Sequence, residues 1–239
     1  MKKIITTAVI LVFTTISANA IDMSRFSALS LTGGLATNQG VFGGSATQKN
    51  FDDTPGAGAL KTTKKEHGVF TDGYASQFIE LGIGQWISIG YEHTPDSITT
   101  PTNKAREGIA ATESTVSVDF NDLNTTYIKV NTPIGIYLKY GEAETDIDIK
   151  EVMGSGSTYA NKSTSGEVMA VGYQKLVGET GFGFRLEGSY MTLDAVTTDN
   201  GVTVASGTVA NGGRNEVAIN DLEGLTARVA ITYTFSRNN

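Results

Sequence analysis

The stretch Leu225-Thr226-Ala227-Arg228-Val229-Ala230-Ile231-Thr232-Tyr233-Thr234-Phe235 alternates without a break. Leu225, Ala227, Val229, Ile231, Tyr233 and Phe235 share one face of an extended chain, and Thr226, Arg228, Ala230, Thr232 and Thr234 share the other. A period of two fits a β-strand with one apolar face and not a helix, whose apolar positions recur every three or four residues.

The same pattern recurs upstream. Phe182, Phe184, Leu186 and Tyr190 alternate with Gly183, Arg185, Glu187 and Ser189. Met169, Val171 and Tyr173 oppose Ala170, Gly172 and Gln174, and Ile134, Ile136, Leu138 and Tyr140 oppose Gly135, Tyr137, Lys139 and Gly141. Thr126, Ile128 and Val130 oppose Tyr127, Lys129 and Asn131. Ile87, Ile89 and Tyr91 oppose Ser88, Gly90 and Glu92, while Ile79, Leu81 and Ile83 oppose Glu80 and Gly82. With a less regular first strand around Phe26 to Thr37, these make eight strands.

The connections are of two kinds. Short ones around Gly84-Gln85, Thr132-Pro133 and Val177 to Gly181 suit hairpins. Long ones at 38–73, 95–122, 149–166 and 195–223 are rich in Gly, Thr, Ser, Asn and Asp. Soluble domains rarely carry several structureless loops beyond about 15 residues. Short turns at one end and long loops at the other are the pattern of a transmembrane barrel.

A secreted β-sandwich also alternates, because one sheet face packs on a core. Two features favour lipid. The apolar faces end in aromatics, Tyr91, Tyr140, Tyr173, Phe182, Tyr190, Tyr233 and Phe235, as interfacial girdles do. The opposite faces carry Glu80, Glu92, Lys129, Lys139, Arg185, Glu187 and Arg228, a mixed set that a narrow lumen could pair into a polar network. In hydrocarbon every backbone N–H and C=O needs an internal partner, so β-structure spans only as a closed barrel. The expected fold is all-β: an eight-stranded antiparallel transmembrane β-barrel with four long extracellular loops and short periplasmic turns.

The chain's N-terminus reads as an address. Lys2 and Lys3 precede a mostly apolar run from Ile4 to Ile16, and Ala18-Asn19-Ala20 offers a small-x-small cleavage site. The run is shorter than the roughly 17–25 residues a spanning helix needs. Residues 1–20 are therefore expected to be a cleaved signal peptide, and 21–239 a single barrel domain. Loss of two lysines would take the formal charge from −7 to −9. Absence of Cys excludes disulfide scaffolds, thiolate metal sites and Cys nucleophiles. The acidic balance, at a pI near 4.9, argues against nucleic acid as a partner.

The signal sequence, the eight strands and the ending Thr226 to Phe235 resemble the small bacterial outer-membrane β-barrels of the OmpX, opacity-protein and OmpA-barrel type. The resemblance implies the bacterial cell outer membrane, with its lipids and lipopolysaccharide as surroundings. It also implies that the barrel assembly machinery reads Tyr233 and Phe235 as an assembly signal. Here Ser236-Arg237-Asn238-Asn239 follow the last aromatic, whereas many members stop at it.

Chemistry is sparse. His93 falls on the outward phase near the outer leaflet, where a lipid A deacylase of this barrel class resembles it in placing a His. The following residues are Thr94-Pro95, so the His-x-Ser pair of those enzymes is missing. Asp52-Asp53, Asp119 with Asp122, and Asp146 with Asp148 lack the spacing of a calcium loop. The Gly-rich pieces at 154–156 and 211–213 lack phosphate-loop context. No cofactor or metal site is expected. Lys61, Lys64 and Lys65 could touch lipopolysaccharide phosphates or be ordinary solvated charge.

The sequence therefore favours a non-enzymatic integral outer-membrane barrel whose surface loops contact the envelope or an external partner it does not identify. A small passive pore is the alternative, and a lipid-modifying enzyme a more remote one. Loops 95–122 and 195–223 each net −3 and should avoid anionic surfaces. An eight-stranded interior is just wide enough for side chains to fill it.

Overall fold

The computed structural model describes residues 29–51, 60–106, 113–152, 158–201 and 214–236. The expected signal peptide, the start of the mature chain at Ile21, Phe26 and the tail from Arg237 lie outside the described residues. Within them every regular element is a β-strand: β1 (Leu29–Phe51), β2 (Leu60–Ile83), β3 (Ile87–Thr94), β4 (Ile98–Thr99), β5 (Asn103–Arg106), β6 (Glu113–Asn131), β7 (Ile136–Val152), β8 (Lys162–Leu176), β9 (Phe182–Leu193), β10 (Val196–Asp199) and β11 (Asn215–Ser236).

Eight long strands run antiparallel in the order β1-β2-β3-β6-β7-β8-β9-β11, and β11 pairs back onto β1 from Ser30↔Ser236 to Asn50↔Asn215. That closing ladder turns a sheet into a barrel and leaves its lower, eight-strand part without an edge. The short strands continue their neighbours: β4 and β5 carry the line of β3 alongside β6, and β10 carries the line of β9 alongside β11. Pro95 and Pro101, which have no N–H to give a ladder, stand in the two gaps of the first line.

The alternation of the sequence becomes two surfaces. Leu35, Ile128, Leu138, Val171, Leu186, Leu225, Val229 and Ile231 are exposed on the outer wall, while Tyr127, Tyr137, Lys129, Arg185, Ala230 and Thr232 are buried inside. Placing apolar side chains outside and polar ones inside inverts a soluble protein and suits a barrel surrounded by hydrocarbon. The aromatics sort into two rings. Tyr173 and Phe184 (6.3 Å between centroids) and the chain Phe182, Tyr233 and Phe235 (4.9 and 4.5 Å) lie beside the short turn at 177–181 and the end of β11. At the other end each tyrosine reaches a polar group on the next strand: Tyr91 donates to Asn124 (2.6 Å), Tyr140 to Glu167 (3.0 Å) and Tyr190 to Glu223 (2.6 Å). In each case the acceptor lies two residues beyond the tyrosine's own register partner. This repeated diagonal marks the outer interface.

The short turns fall where the sequence put them, with Gly84 (φ 65°), Gly135 (φ 87°), Gly178 (φ 59°) and Gly181 (φ 80°) supplying their left-handed positions. Ile134, expected at the start of a strand, lies instead in the turn before β7 and is exposed. The larger difference concerns the long connections, expected to lack structure. The β1–β2 ladder continues without a shift from Leu29↔Ile83 to Asn50↔Thr62, so most of 38–73 is paired strand. Likewise β7 reaches Val152, β8 begins at Lys162, β6 at Glu113 and β11 at Asn215. The barrel wall thus rises beyond the outer tyrosines as hydrogen-bonded sheet. Once strands leave the hydrocarbon neither face has to be apolar, so the period-two signal disappears although the pairing persists.

Two one-residue bulges sit at the base of this extension. β11 has an extra residue opposite Gly43/Ser45, and β6 has one between Asn121 and Asn124. Asp221 (φ 53°) and Asp122 (φ 50°) take the left-handed conformation there, one that Asp tolerates better than most residues. Ser45 Oγ donates to Asp221 (2.8 Å) and Asn124 Nδ2 to the Asp122 carbonyl (2.7 Å), fixing both bulges.

Candidate functional site: the lumen and the extracellular wall

The seven charged residues that the alternation phases inward all lie inside the barrel, each less than a tenth exposed. They form two clusters. In the first, Glu80 on β2 faces two bases across the lumen. Lys129 Nζ lies 2.6 Å from Oε2, and Arg185 donates from both terminal nitrogens, at 2.6 Å to Oε1 and 2.5 Å to Oε2. Tyr127 adds its hydroxyl to Oε1 (2.9 Å), and Lys129 also donates to Gln174 Oε1 (3.0 Å). The fork of Arg185 on one carboxylate is the strong bidentate geometry.

In the second cluster Arg228 bridges Glu92 Oε1 (2.5 Å) and Glu187 Oε2 (3.0 Å). Lys139 bridges the same two acids at 3.2 and 2.9 Å. Tyr137 donates to Glu187 (2.6 Å), and Ser76 to Glu92 (2.9 Å) while accepting from Asn38 (3.0 Å). This cluster is neutral, so the one excess positive charge of the lumen belongs to the Glu80 cluster. Ring faces help to offset it, with Arg185 4.7 Å from the Phe78 centroid and Lys129 5.1 Å from that of Tyr137, while Arg228 of the neutral cluster lies 5.2 Å from the same Phe78 ring.

Space for these rings comes from glycine. Tyr127 is the register partner of Gly90, Tyr137 of Gly172 and Phe78 of Gly34, and a Cβ on any of these glycines would run into the facing ring. A lumen only eight strands around admits a large ring where its neighbour has no side chain. Phe78, Ser76 and Asn38 escaped the sequence reading, which placed Gln174 on the inward face without giving it a part in the network. Their signal was present, because Phe78 and Ser76 keep the phase of Glu80 along β2.

Above the charged layer the barrel is filled by an apolar one. Phe42, Ile98, Leu123 and Ala143 form its buried centre, and Phe70, Tyr74, Phe120, Met191 and Leu193 pack around it. Phe42 stacks on Phe70 at 5.3 Å. The cavity left among them is about 30 Å³, room for about one water. The β6 bulge is what brings Phe120 into this layer: Leu123, Thr125 and Tyr127 point inward below it, and the extra residue shifts the phase so that an even position does so above.

On the extension, Asp119 is buried beneath Lys150, with which it forms an ion pair, and accepts from Thr99 Oγ1 (2.9 Å). The hydrogen bond from Lys150 and that from Thr99 hold its carboxyl below the ordinary value of 3.8, against the opposing effect of burial. Asp146 and Asp148 are engaged by Ser163, Asn121 and Asn161. Among the described residues no group of three or more His, Asp or Glu side chains could hold a metal ion.

His93 stands on the outer wall as its phase requires, with Nδ1 2.8 Å from Asn124 Oδ1. It borders a groove of about 570 Å³ floored by Gly33 and walled by Ile79, Tyr91, Ile231, Tyr233 and Phe235. The neighbouring hydroxyl, Thr94, is buried on the opposite face of the strand and makes no pair with the imidazole. Tyr233 and Phe235, expected as the assembly signal, are part of the inner aromatic ring.

An apolar outer wall, two aromatic rings and a closed antiparallel ring with a paired polar interior define an integral outer-membrane β-barrel. The solved structures agree on the fold. The outer-membrane protein OprG from Pseudomonas aeruginosa superposes with a TM-score of 0.52 at 13% identity, over 83% of this chain and 95% of that one. Ail, the attachment invasion locus protein of Yersinia pestis, matches at 0.35 and 11% identity over 83% and 99% of the two chains. The outer-membrane protease OmpT from Escherichia coli matches at 0.38 and 11% identity over 85% and 97%. At these identities the likeness speaks for fold alone, and the OprG superposition is the one that carries it. No protein-family model matches the chain, and no curated protein matches its sequence.

Proposed function

We propose that this chain is a non-enzymatic outer-membrane barrel with a sealed lumen, and that its extracellular wall makes contact with the envelope or an external partner. The observation that supports it is the double closure of the interior. Every charged group of the lumen has an oppositely charged partner, and the apolar layer above leaves a cavity of about 30 Å³. A solute would have to break buried ion pairs, at about 3–5 kcal/mol for each group left unpaired. The hydrogen-bonded wall beyond the outer tyrosines is then the surface left to do work. Outer-membrane lipids and lipopolysaccharide are its neighbours in this reading, and the barrel assembly machinery reads Tyr233 and Phe235.

Planar-bilayer recording of the purified protein tests the sealed lumen. No steady conductance is expected. Reproducible ohmic channels that survive shortening of 95–122 and 195–223 would replace this reading with the passive pore.

A further inference from the structure

Among the described residues several strands of the extension are paired on one side only: β4 and β5 bond to β6 alone and β10 to β11 alone, but the longest such stretch is the upper part of β2. β1 is bonded to β2 and to β11 along nearly its whole length, but β2 meets β3 only from Gln77↔His93 to Ile83↔Ile87. Above that ladder two carboxylates clasp the seam: Ala75 N–H donates to Asp96 Oδ2 (3.0 Å) and Thr99 N–H to Asp72 Oδ2 (3.0 Å). Beyond the clasp, from Leu60 to Thr71, β2 has no second ladder among the described residues.

The direction of its backbone groups follows from the clasp. Gly73 and Ala75 send their N–H groups away from β1, whereas the carbonyls of Asp72 and Tyr74 accept from Gln39 and Asn38 on β1. The β1–β2 register does not shift down to Thr62, so the alternation carries through. Thr63, Lys65, His67, Val69 and Thr71 therefore point their N–H and C=O toward the open edge. Their side chains share the outer face, where Val69 is 75% exposed.

We infer that this edge is a strand-acceptor site and that its ligand is an extended acidic peptide segment, added antiparallel to β2. The inference rests on the extracellular placement of this wall proposed above. An unpaired edge is a template for main-chain pairing, with alternate side chains supplying specificity. The row a guest would lie beside carries Lys65 and His67 and no acid, and 60–71 as a whole nets +2 in a chain of net −7. A second copy in the same membrane is a poor occupant, because its β2 also descends from the outside inward and so cannot run antiparallel to this one.

The test uses the full-length barrel in detergent micelles and a labelled synthetic peptide of alternating Val and Glu, read by fluorescence anisotropy. Its Lys-for-Glu counterpart should bind about tenfold more weakly. The same peptide N-methylated along one edge should not bind. Val69→Pro should abolish binding while the unboiled barrel still migrates as folded, because the N–H it removes does not point at β1. Lys65→Glu should reverse the preference between the two peptides, an outcome that misfolding would not produce. Undiminished binding of the N-methylated peptide, or to Val69→Pro, overturns the inference, as does a concentration-dependent dimer cross-linked through β2. Trypsin added to intact cells separates the two levels. A hairpin cut at Lys64 or Lys65 without peptide binding overturns this inference alone, whereas one cut only after permeabilisation overturns the extracellular placement beneath it.

Discussion

Replacing Glu80 by Gln should be among the most damaging single changes in the barrel. Glu80 is the only acid of its cluster and accepts from Lys129, Arg185 and Tyr127. A neutral amide keeps the shape but leaves two buried cations without a counter-charge, raising the lumen's excess from one positive charge to two. Removing one member of a buried ion pair costs about 3–5 kcal/mol, which is about two to four orders of magnitude in the folding equilibrium. Unfolding by urea from lipid vesicles, followed by the mobility of unboiled protein on gels, measures it. A compensated variant isolates the cause. Glu80→Leu with Lys129→Met and Arg185→Leu removes the charges together and leaves the Tyr127 hydroxyl as the main unpaired group, at about 1–3 kcal/mol. Such replacements are often neutral or stabilising, so the triple variant should recover most of the loss. Bilayer recording of Glu80→Gln should show intermittent conductance absent from the compensated form. A cost below about 1 kcal/mol for Glu80→Gln would mean that water already screens these charges, and the sealed lumen would be wrong.

Three further outcomes are expected. Ile231→Arg, on the exposed outer wall, should cost about 2–4 kcal/mol in vesicles if it meets hydrocarbon, and a negligible effect there would remove that face from the membrane. Phe235→Ala should reduce the folded fraction in the outer membrane without altering the N-terminus that sequencing finds; full assembly would place the signal elsewhere. Because the carboxyl of Asp119 is held below 3.8 in the folded state, its contribution is present above that pH and is lost as pH falls through its folded value. Lys150→Met should bring that loss to higher pH, visible as earlier amide exchange at Thr99 and Val118, and an unchanged profile would show that Lys150 does not hold the carboxyl.

Sequence and structure divide this barrel at the outer tyrosines. Below them, the residues from Leu225 to Phe235 and their counterparts declare strand, face and membrane in one pattern. Hydrocarbon outside and a filled lumen inside impose opposite demands on successive side chains, so the phase of Glu80, Lys129 or Arg228 is written locally. What each meets is not local. Arg185 reaches Glu80 across 105 positions and Arg228 reaches Glu92 across 136, partners chosen by the register in which β11 closes on β1. Above the tyrosines the local signal fails as well. Gly, Thr, Asn and Lys along 38–51 and 60–73 look like loop because water on both faces asks for no alternation, and only the ladder between β1 and β2 makes them strand. The open edge of β2 is more remote still from the sequence, since it arises because β4 and β5, which continue the line of β3 beyond Thr94 and Pro95, bond to β6 and not to β2. Side-chain phase is a property of one strand and its solvent, whereas pairing, closure and edges are properties of neighbours, and neighbours exist only once the barrel has formed.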